Sequence, residues 1–151
     1  MNRFKLATWN VNSIRIRLEL LKKLIELENP DIICLQEVKA KEEDFPFADI
    51  RAMGYPEIAL YGMAGYNGVA ILSKTPLKKP QPMNWVGKED ARHIKASVFD
   101  DIEINDIYIP AGGDIPDPYG LDQNAYDVTA FRLKLASQNL LNIISEKKVK
   151  K

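Results

Sequence analysis

Apolar residues along the first forty positions alternate between short runs and one stripe at helical spacing. Phe4, Leu6 and Trp9 predict a first strand that ends near Asn10. Residues 31–36 form an almost continuous apolar run, which predicts a strand covered on both faces. Between them an apolar stripe recurs every three to four positions and predicts a helix, with Ser13 as its cap and Asn29-Pro30 as its end; the stripe is Ile14, Leu18, Leu21 and Ile25.

The rest of the chain is richer in strands. Charged residues 39–44 lead into a short helix that ends near Met53, and Gly54-Tyr55-Pro56 is a turn. Residues 75–88 contain three prolines and predict an irregular or edge segment. Further strands are predicted at 58–61, 69–72, 94–99 and 102–109, followed by a loop at 110–122 and a helix at about 124–145. A β-α-β start followed by strands and a helix indicates an α/β fold, and we expect residues 1–151 to be one domain or part of one.

Composition excludes several classes of protein. Hydrophobic residues make up 46% of the 151 positions, which is typical of a globular domain rather than a disordered tail. The 21 basic and 21 acidic residues cancel, so net charge gives no support for a dedicated nucleic-acid binder. We expect no signal peptide and no membrane span. The single cysteine, Cys34, lies in an apolar run and fits a reducing compartment, by default the cytoplasm.

Polar residues stand where three of the predicted strands end. Asn10 and Asn12 follow the first strand, and Gln36, Glu37 and Lys39 follow the second. Tyr108 and the group Gly112-Gly113-Asp114 follow a later one. Ligands of open α/β sheets collect at such strand ends. From spacing alone, these residues could equally be turn formers, helix-start residues and solvated strand ends.

Four motifs distinguish these readings. The stretches at residues 8–15 (TWNVNSIR), 30–39 (PDIICLQEVK), 65–74 (GYNGVAILSK) and 107–110 (IYIP) occur in that order. Together they resemble the motifs of exonuclease III and the related apurinic/apyrimidinic endonucleases, and they extend over nearly the whole chain. The family cleaves phosphodiesters beside abasic sites and trims duplex DNA from 3′ ends, using Mg²⁺.

The resemblance implies roles for five residues. Glu37 would be the metal carboxylate, which suits a hard cation that prefers oxygen ligands, and Asn10 would support the metal and phosphate site. Tyr108 would hydrogen-bond the scissile phosphate or the attacking water. Lys39 would orient the metal-binding carboxylate without contacting the metal itself, and it would also lie near the DNA. Arg15 would contact the DNA backbone, although a solvated helix face explains it equally well. Mn²⁺ is a second candidate metal.

The same resemblance implies a fold, and it also shows where the chain departs from the family's motifs. Relatives form a four-layer α/β sandwich, so we expect half of it here: one sheet with flanking helices. Its inner face, formed by 32–35 and 69–72, would meet water and favour self-association or a complementary second chain. The family's later Gly-Asp-x-Asn and Asp-His motifs do not occur before Lys151, and Ala111 replaces an expected amide. His93 does not replace the missing histidine, because it lies in a strand-like run away from every motif.

Three functions therefore stay open. The first is a DNA-repair phosphodiesterase that is inactive without its other half and acts on duplex DNA with abasic sites or 3′ ends. The second is a non-catalytic module that binds DNA or protein. The third is a decayed fragment with no function of its own.

Overall fold

The computed structural model describes residues 3–84, 89–99 and 102–109. The predicted loop at 110–122, the predicted helix at 124–145 and the residues 111–114 discussed above lie outside this part of the chain. The elements are β1 (Leu6–Asn10), α1 (Leu18–Glu28), β2 (Ile32–Gln36), a 3₁₀ helix (Glu42–Asp44), α2 (Phe47–Ala52), β3 (Glu57–Tyr61), β4 (Val69–Ser73), β5 (Lys78–Pro82), β6 (His93–Val98) and β7 (Ile102–Ile107).

Four strands form the first sheet, in the order β1-β2-β4-β3. β1 and β2 run parallel, and α1 is the crossover between them. β4 pairs antiparallel with both β2 and β3. The parallel register sets Asn10 opposite Gln36, so the carboxyl ends of β1 and β2 meet at one edge of the sheet.

The second sheet is antiparallel, in the order β5-β6-β7. β6 and β7 pair antiparallel as a hairpin, with His93 paired to Ile107 and Val98 paired to Ile102. β5 is an exposed edge strand that contains Pro80 and Pro82, and its register with β6 shifts between Lys78 and Gln81. Proline cannot donate to a ladder, which explains why this segment occupies an edge, as predicted.

Two hydrophobic clusters cover the two faces of the first sheet. On one face the sheet packs against the helices through a cluster that includes Leu21, Ile33, Leu35, Ile50 and Leu72. On the other face β2 and β4 pack against the second sheet. That inner cluster contains Ile32, Cys34, Ala59, Val69, Ile71, Ile94, Ala96, Val98 and Ile104. β2 is therefore apolar from Ile32 to Leu35, because both of its faces are buried there.

The α/β class predicted from the sequence is confirmed, but the single sheet is corrected to two. The inner face of β2 and β4 does not meet water, because apolar residues of the β6–β7 hairpin cover it; Ile71 and Ile94 are 0% and 1% exposed. The expected self-association through an open inner face therefore loses its basis. Within the described residues, no helix is long and apolar enough to cross a lipid bilayer.

Candidate metal and phosphate site

The ends of β1 and β2 bring an amide and a carboxylate into contact. Asn10 is the last residue of β1, and Glu37 comes directly after β2. Because the two strands are parallel and in register, the Asn10 amide reaches across and its Nδ2 donates to Glu37 Oε1 at 2.8 Å. The Asn10 Oδ1 atom accepts from the backbone N–H of Asn12 at 3.2 Å. The structure thus brings together two residues separated by 27 positions.

Lys39 binds the other oxygen of the same carboxylate. Its Nζ lies 2.8 Å from Glu37 Oε2 and donates to Asn12 Oδ1 at 2.6 Å. The side chains of Lys39 and Glu37 are 27% and 18% exposed, so the pair is partly screened from water. This contact agrees with the expected orienting role of Lys39, and it also joins Asn12 to the cluster.

Tyr108, which follows β7 of the second sheet, approaches Glu37 closely enough to influence the pKa of its carboxyl. Hydrogen bonds from Asn10 and then Lys39 lower the pKa of Glu37, and Tyr108 adds to the effect although burial opposes it. The carboxylate is therefore charged at neutral pH. Burial, followed by the hydrogen bond to the Glu37 anion, raises the pKa of Tyr108 and keeps its hydroxyl protonated. Residues at the strand ends of both sheets thus surround the Glu37 carboxylate.

The loop around Glu37 is held in an unusual backbone conformation. Glu37 and Lys39 have φ values of 53° and 49°, in the left-handed region that non-glycine residues rarely adopt. The carbonyls of this loop accept from the segment after β1: Val11 N binds Gln36 O, Ser13 N binds Glu37 O and Ile14 N binds Val38 O, at 2.7–3.1 Å. Such strain persists only where neighbouring contacts hold it, and it is common at functional sites.

The predicted capping role of Ser13 is wrong. Ser13 has φ 82°, its N–H is bound to Glu37 O, and α1 begins at Leu18, five residues past the predicted cap, with no side-chain cap. Arg17, at the N-cap position, instead donates from its guanidinium to the Asn12 carbonyl. The segment between β1 and α1 therefore belongs to the site rather than to the helix.

Arg15 does not join the cluster around Glu37. Its side chain is 54% exposed, and its guanidinium lies 4.0 Å from Asp44 Oδ1. A pair at this distance between exposed groups contributes little to stability. Arg15 is therefore free enough to contact an external anion, and its predicted role on DNA stays a prediction.

Sequence reasoning missed a buried carboxyl directly beneath the site. Asp106 is 1% exposed on the inner face of β7, and its Oδ1 accepts from Gln36 Nε2 at 2.6 Å. Gln36 Nε2 also donates to Thr8 Oγ1 at 3.1 Å. Burial raises the pKa of Asp106 to about 7. The alternation of residues along the strand could have revealed the burial of Asp106, because Asp106 lies on the inward face of β7 together with Ile104.

His93 has the structural role expected of it. It lies at the start of β6, is 4% exposed, and its Nε2 contacts Asn105 Oδ1 at 2.8 Å on the neighbouring strand.

The chemistry of this cluster fits one carboxylate contact to a hard divalent cation. Glu37 is anionic, the Asn10 amide donates to it, and Asn12 Oδ1 accepts from the same Lys39 ammonium that contacts it. Mg²⁺ commonly uses one or two carboxylates and takes its other ligands from water and phosphate. Over the described ranges no group of three or more His, Cys, Asp or Glu side chains forms a complete metal cage. The residues thus suit a metal bound jointly with substrate rather than a closed structural site.

Comparison with known proteins places this arrangement in a family. The model of the endonuclease/exonuclease/phosphatase family matches residues 7–142. The chain is 34% identical over 99 residues to exodeoxyribonuclease III of Haemophilus influenzae, which covers 66% of this chain and 36% of the relative. It is 37% identical over 121 residues to the DNA repair nuclease APEX1 of Danio rerio, which covers 70% of this chain and 36% of the relative.

Solved structures agree with these relatives. An AP endonuclease from Archaeoglobus fulgidus is 36% identical, with a TM-score of 0.66, and the match covers 72% of this chain and 42% of that one. A 3′ phosphatase from Neisseria, solved with a product DNA hairpin, is 32% identical with the same TM-score and covers 70% and 41%. The chain spans about two fifths or less of the length of each of these proteins. It therefore belongs to the endonuclease/exonuclease/phosphatase family, and its similarity to exodeoxyribonuclease III and to AP endonucleases confirms the resemblance seen in its four motifs.

Proposed function

We propose that this chain provides part of the active site of a Mg²⁺-dependent DNA-repair phosphodiesterase that cleaves beside abasic sites and trims 3′ ends. The observation that carries the proposal is the Glu37 carboxylate, which is anionic, is held by Asn10 and Lys39, and has Tyr108 close by. The names of the relatives, exodeoxyribonuclease III and DNA repair nuclease APEX1, support the substrate class. The proposal gives each residue of the cluster a separate task.

Glu37 would hold Mg²⁺, with the amide of Asn10 beside it, and Mn²⁺ could replace the metal. When bound, such a metal supplies positive charge that stabilises the developing negative charge on a phosphate oxygen. Lys39 keeps the carboxylate fixed through its contact with Oε2. A ligand oriented in this way costs less reorganisation when the metal and the phosphate arrive.

Tyr108 would bind the phosphate or the attacking water. Its hydroxyl stays protonated because burial and the Glu37 anion raise its pKa, so it can act as a hydrogen-bond donor at neutral pH. Arg15 and Lys39 would contribute positive charge to contacts with the DNA backbone, which give affinity without sequence readout. Charge contacts of this kind predict DNA affinity that falls as salt increases.

We expect the chain alone to bind Mg²⁺ but to lack turnover. The described residues supply one ionised carboxylate, amides, a phenol and an ammonium group, and none of them is poised as a general base. We propose that a portion equivalent to the part of the relatives that this chain does not match completes the site. The partner substrate would be double-stranded DNA with abasic sites or 3′ ends.

The test has a binding arm and a cleavage arm. Mg²⁺ is titrated into isotopically labelled chain while the side-chain amide resonances of Asn10 are followed, and Glu37→Gln serves as the variant without the metal carboxylate. We expect a saturable shift in the wild type and none in the variant. Cleavage of an abasic-site duplex with Mg²⁺ is measured with and without a separately expressed remainder of a relative. Absence of Mg²⁺ binding by the wild type, or of cleavage in both mixtures, would overturn the proposal.

A further inference from the structure

Two residues before β4, Asn67 and Gly68, lie between the loop of Glu37 and the segment that leads into the second sheet. Asn67 is 7% exposed although it is polar and outside any strand. Both residues have positive φ, 51° and 86°. No role for this pair follows from the metal and phosphate site as described so far, yet four of its polar groups bind one or the other of the two neighbouring segments.

On one side the pair binds the loop of Glu37. Val38 N donates to Gly68 O, and Lys39 N donates to Asn67 O, both at 3.0 Å. The carbonyls of the same loop are already bound to the segment after β1. The loop is thus fixed from both sides, which explains how Glu37 and Lys39 keep left-handed backbone conformations that cost free energy in isolation.

On the other side the pair binds residues 90–92, which precede β6. Gly68 N donates to Ala91 O at 3.0 Å, and the Asn67 side-chain Nδ2 donates to Asp90 O at 2.8 Å. The next residue of that segment, Arg92, accepts from the backbone N–H of Tyr108 at 2.8 Å. Hydrogen bonds between neighbouring segments therefore connect Glu37, which follows a strand of the first sheet, to Tyr108, which follows a strand of the second sheet.

The residue types at these two positions suit this connection. A Cβ on Gly68 would lie 2.6 Å from Val38 Cγ2, closer than side-chain atoms approach, and the φ of 86° favours glycine as well. Asparagine tolerates the left-handed region better than most residues, and its amide supplies the donor that Asp90 O accepts. Asn67 is thus the position where backbone shape and a side-chain hydrogen bond are both required.

We propose that Asn67 is a positioning residue that fixes the Glu37 carboxylate relative to the Tyr108 hydroxyl by tying the loop of Glu37 to residues 90–92. The inference rests on the proposed function, because it explains how the metal carboxylate and the phosphate-binding phenol are held together across two sheets. Asn67 touches neither metal nor substrate in this role. It acts through the two segments that it joins.

Two variants of Asn67 separate its backbone role from its side-chain role. Asn67→Gly keeps access to the left-handed region and removes only the amide donor. Asn67→Asp keeps the shape and sets a carboxylate against the Asp90 carbonyl. In the metal-free chain we expect amide hydrogen exchange at Val38, Lys39 and Tyr108 to become about tenfold faster, the factor for losing one buried hydrogen bond. Mg²⁺, added alone and followed through the Asn10 side-chain amide, should bind about tenfold more weakly, with Asp worse than Gly.

A matched control lies at the opposite end of the same strand. Ser73 is fully buried; its Oγ donates to Thr75 O at 2.7 Å and accepts from Thr75 N at 3.1 Å, so Ser73→Ala removes side-chain-to-backbone hydrogen bonds at the other end of β4. We expect this variant to lose comparable stability while exchange at the three amides and Mg²⁺ affinity stay at wild-type values.

Equal effects of Asn67→Gly and Ser73→Ala at those amides would show general destabilisation and overturn the positioning role, as would wild-type exchange in both Asn67 variants. A wild-type chain that fails to bind Mg²⁺ would overturn the proposed function instead. The exchange comparison is made without metal, so it still decides whether Asn67 couples the two segments.

Discussion

At the scale of single residues, the charge of Glu37 depends on donors from three separate segments. Asn10 is the largest cause of its lowered pKa, ahead of Lys39. Since the folded pKa lies below the ordinary value of 4.5, these contacts stabilise the fold above the unfolded pKa and lose that effect as pH falls through the folded pKa. We expect Asn10→Ala to raise the pKa of Glu37, measured by NMR titration of the side-chain carboxyl carbon.

Asn105 offers the control for this titration. Its Nδ2 donates to Glu103 Oε1 at 3.1 Å on the exposed face of the second sheet, so Asn105→Ala also removes an asparagine–glutamate contact. The pKa of Glu37 should be the same in Asn105→Ala as in the wild type. An unchanged Glu37 pKa in Asn10→Ala would contradict the assignment of Asn10 as its main partner.

Asp106 has the opposite pH dependence. Burial raises its pKa from 3.8 to about 7, so its contribution to stability is complete below the unfolded pKa and is lost as pH rises through about 7. Asp106→Asn cannot ionise and keeps an oxygen for Gln36 Nε2. Each pKa unit corresponds to roughly 1.4 kcal/mol, so we expect a gain of about 1–4 kcal/mol at pH 8 and little change at pH 4.

Urea unfolding at several pH values measures this gain. The exposed residue Glu26 of α1 is the comparison, and Glu26→Gln should change the free energy of unfolding by less than about 0.5 kcal/mol. A parallel profile in Asp106→Asn and the wild type would mean that Asp106 is already neutral or solvated at pH 8.

The sequence predicted which residues come together better than it predicted their local conformations. Asn10, Glu37, Lys39 and Tyr108 were chosen by motif resemblance, and the structure gathers all four. Asp106 was missed because a carboxyl at a core position of a strand carries no motif. The left-handed φ of Glu37 could not be predicted from the sequence either, because it depends on hydrogen bonds from segments distant in the sequence.

At the scale of elements, α1 shows which predictions local pattern supports. The helical stripe predicted the element and its end at Asn29, where the C-cap has φ 45°, because both depend on neighbouring residues. Its start was predicted too early, because the residues after Asn10 bind the loop of Glu37 rather than the helix. Strand positions followed from apolar runs, but the division into two sheets depends on long-range pairing that these runs do not encode.

Within α1 a matched pair of leucines tests the packing of the helix. Leu21 is fully buried against the first sheet, whereas Leu27 is 82% exposed. Leu21→Ala should lower the free energy of unfolding by about 2–5 kcal/mol, because it leaves a cavity. Leu27→Ala should change it by less than about 0.5 kcal/mol. Equal losses in urea unfolding monitored by circular dichroism would contradict this placement of α1.

At the scale of the whole molecule, each sheet shields the apolar inner face of the other from water, and strand ends of both sheets meet at one site. The sequence led us to expect an exposed inner face because the resemblance implied half of a sandwich with one sheet. The β6–β7 hairpin instead supplies apolar side chains to that face. This closure also places Tyr108, directly after β7, next to Glu37, directly after β2. Folding of the second sheet is therefore a condition for the site.

Cys34, the single cysteine of the chain, reports whether this closure holds in solution. Its thiol is 4% exposed between the sheets, and burial raises its pKa to about 12. Because the thiolate is the reactive form, we expect labelling by Ellman's reagent at pH 8 to be at least about a hundredfold slower than in urea-unfolded chain.

Variants of Ile94 and Leu21 test whether Cys34 becomes accessible through local separation of the two sheets or through a general loss of stability. Ile94 shares the inter-sheet cluster with Cys34, and Leu21 belongs to the helix-side cluster. If the sheets separate locally, Ile94→Ala should speed labelling of Cys34 more than Leu21→Ala does at matched loss of stability. A wild-type thiol that labels as fast as the unfolded chain would mean that the inner face is open after all, and would restore self-association as an expectation.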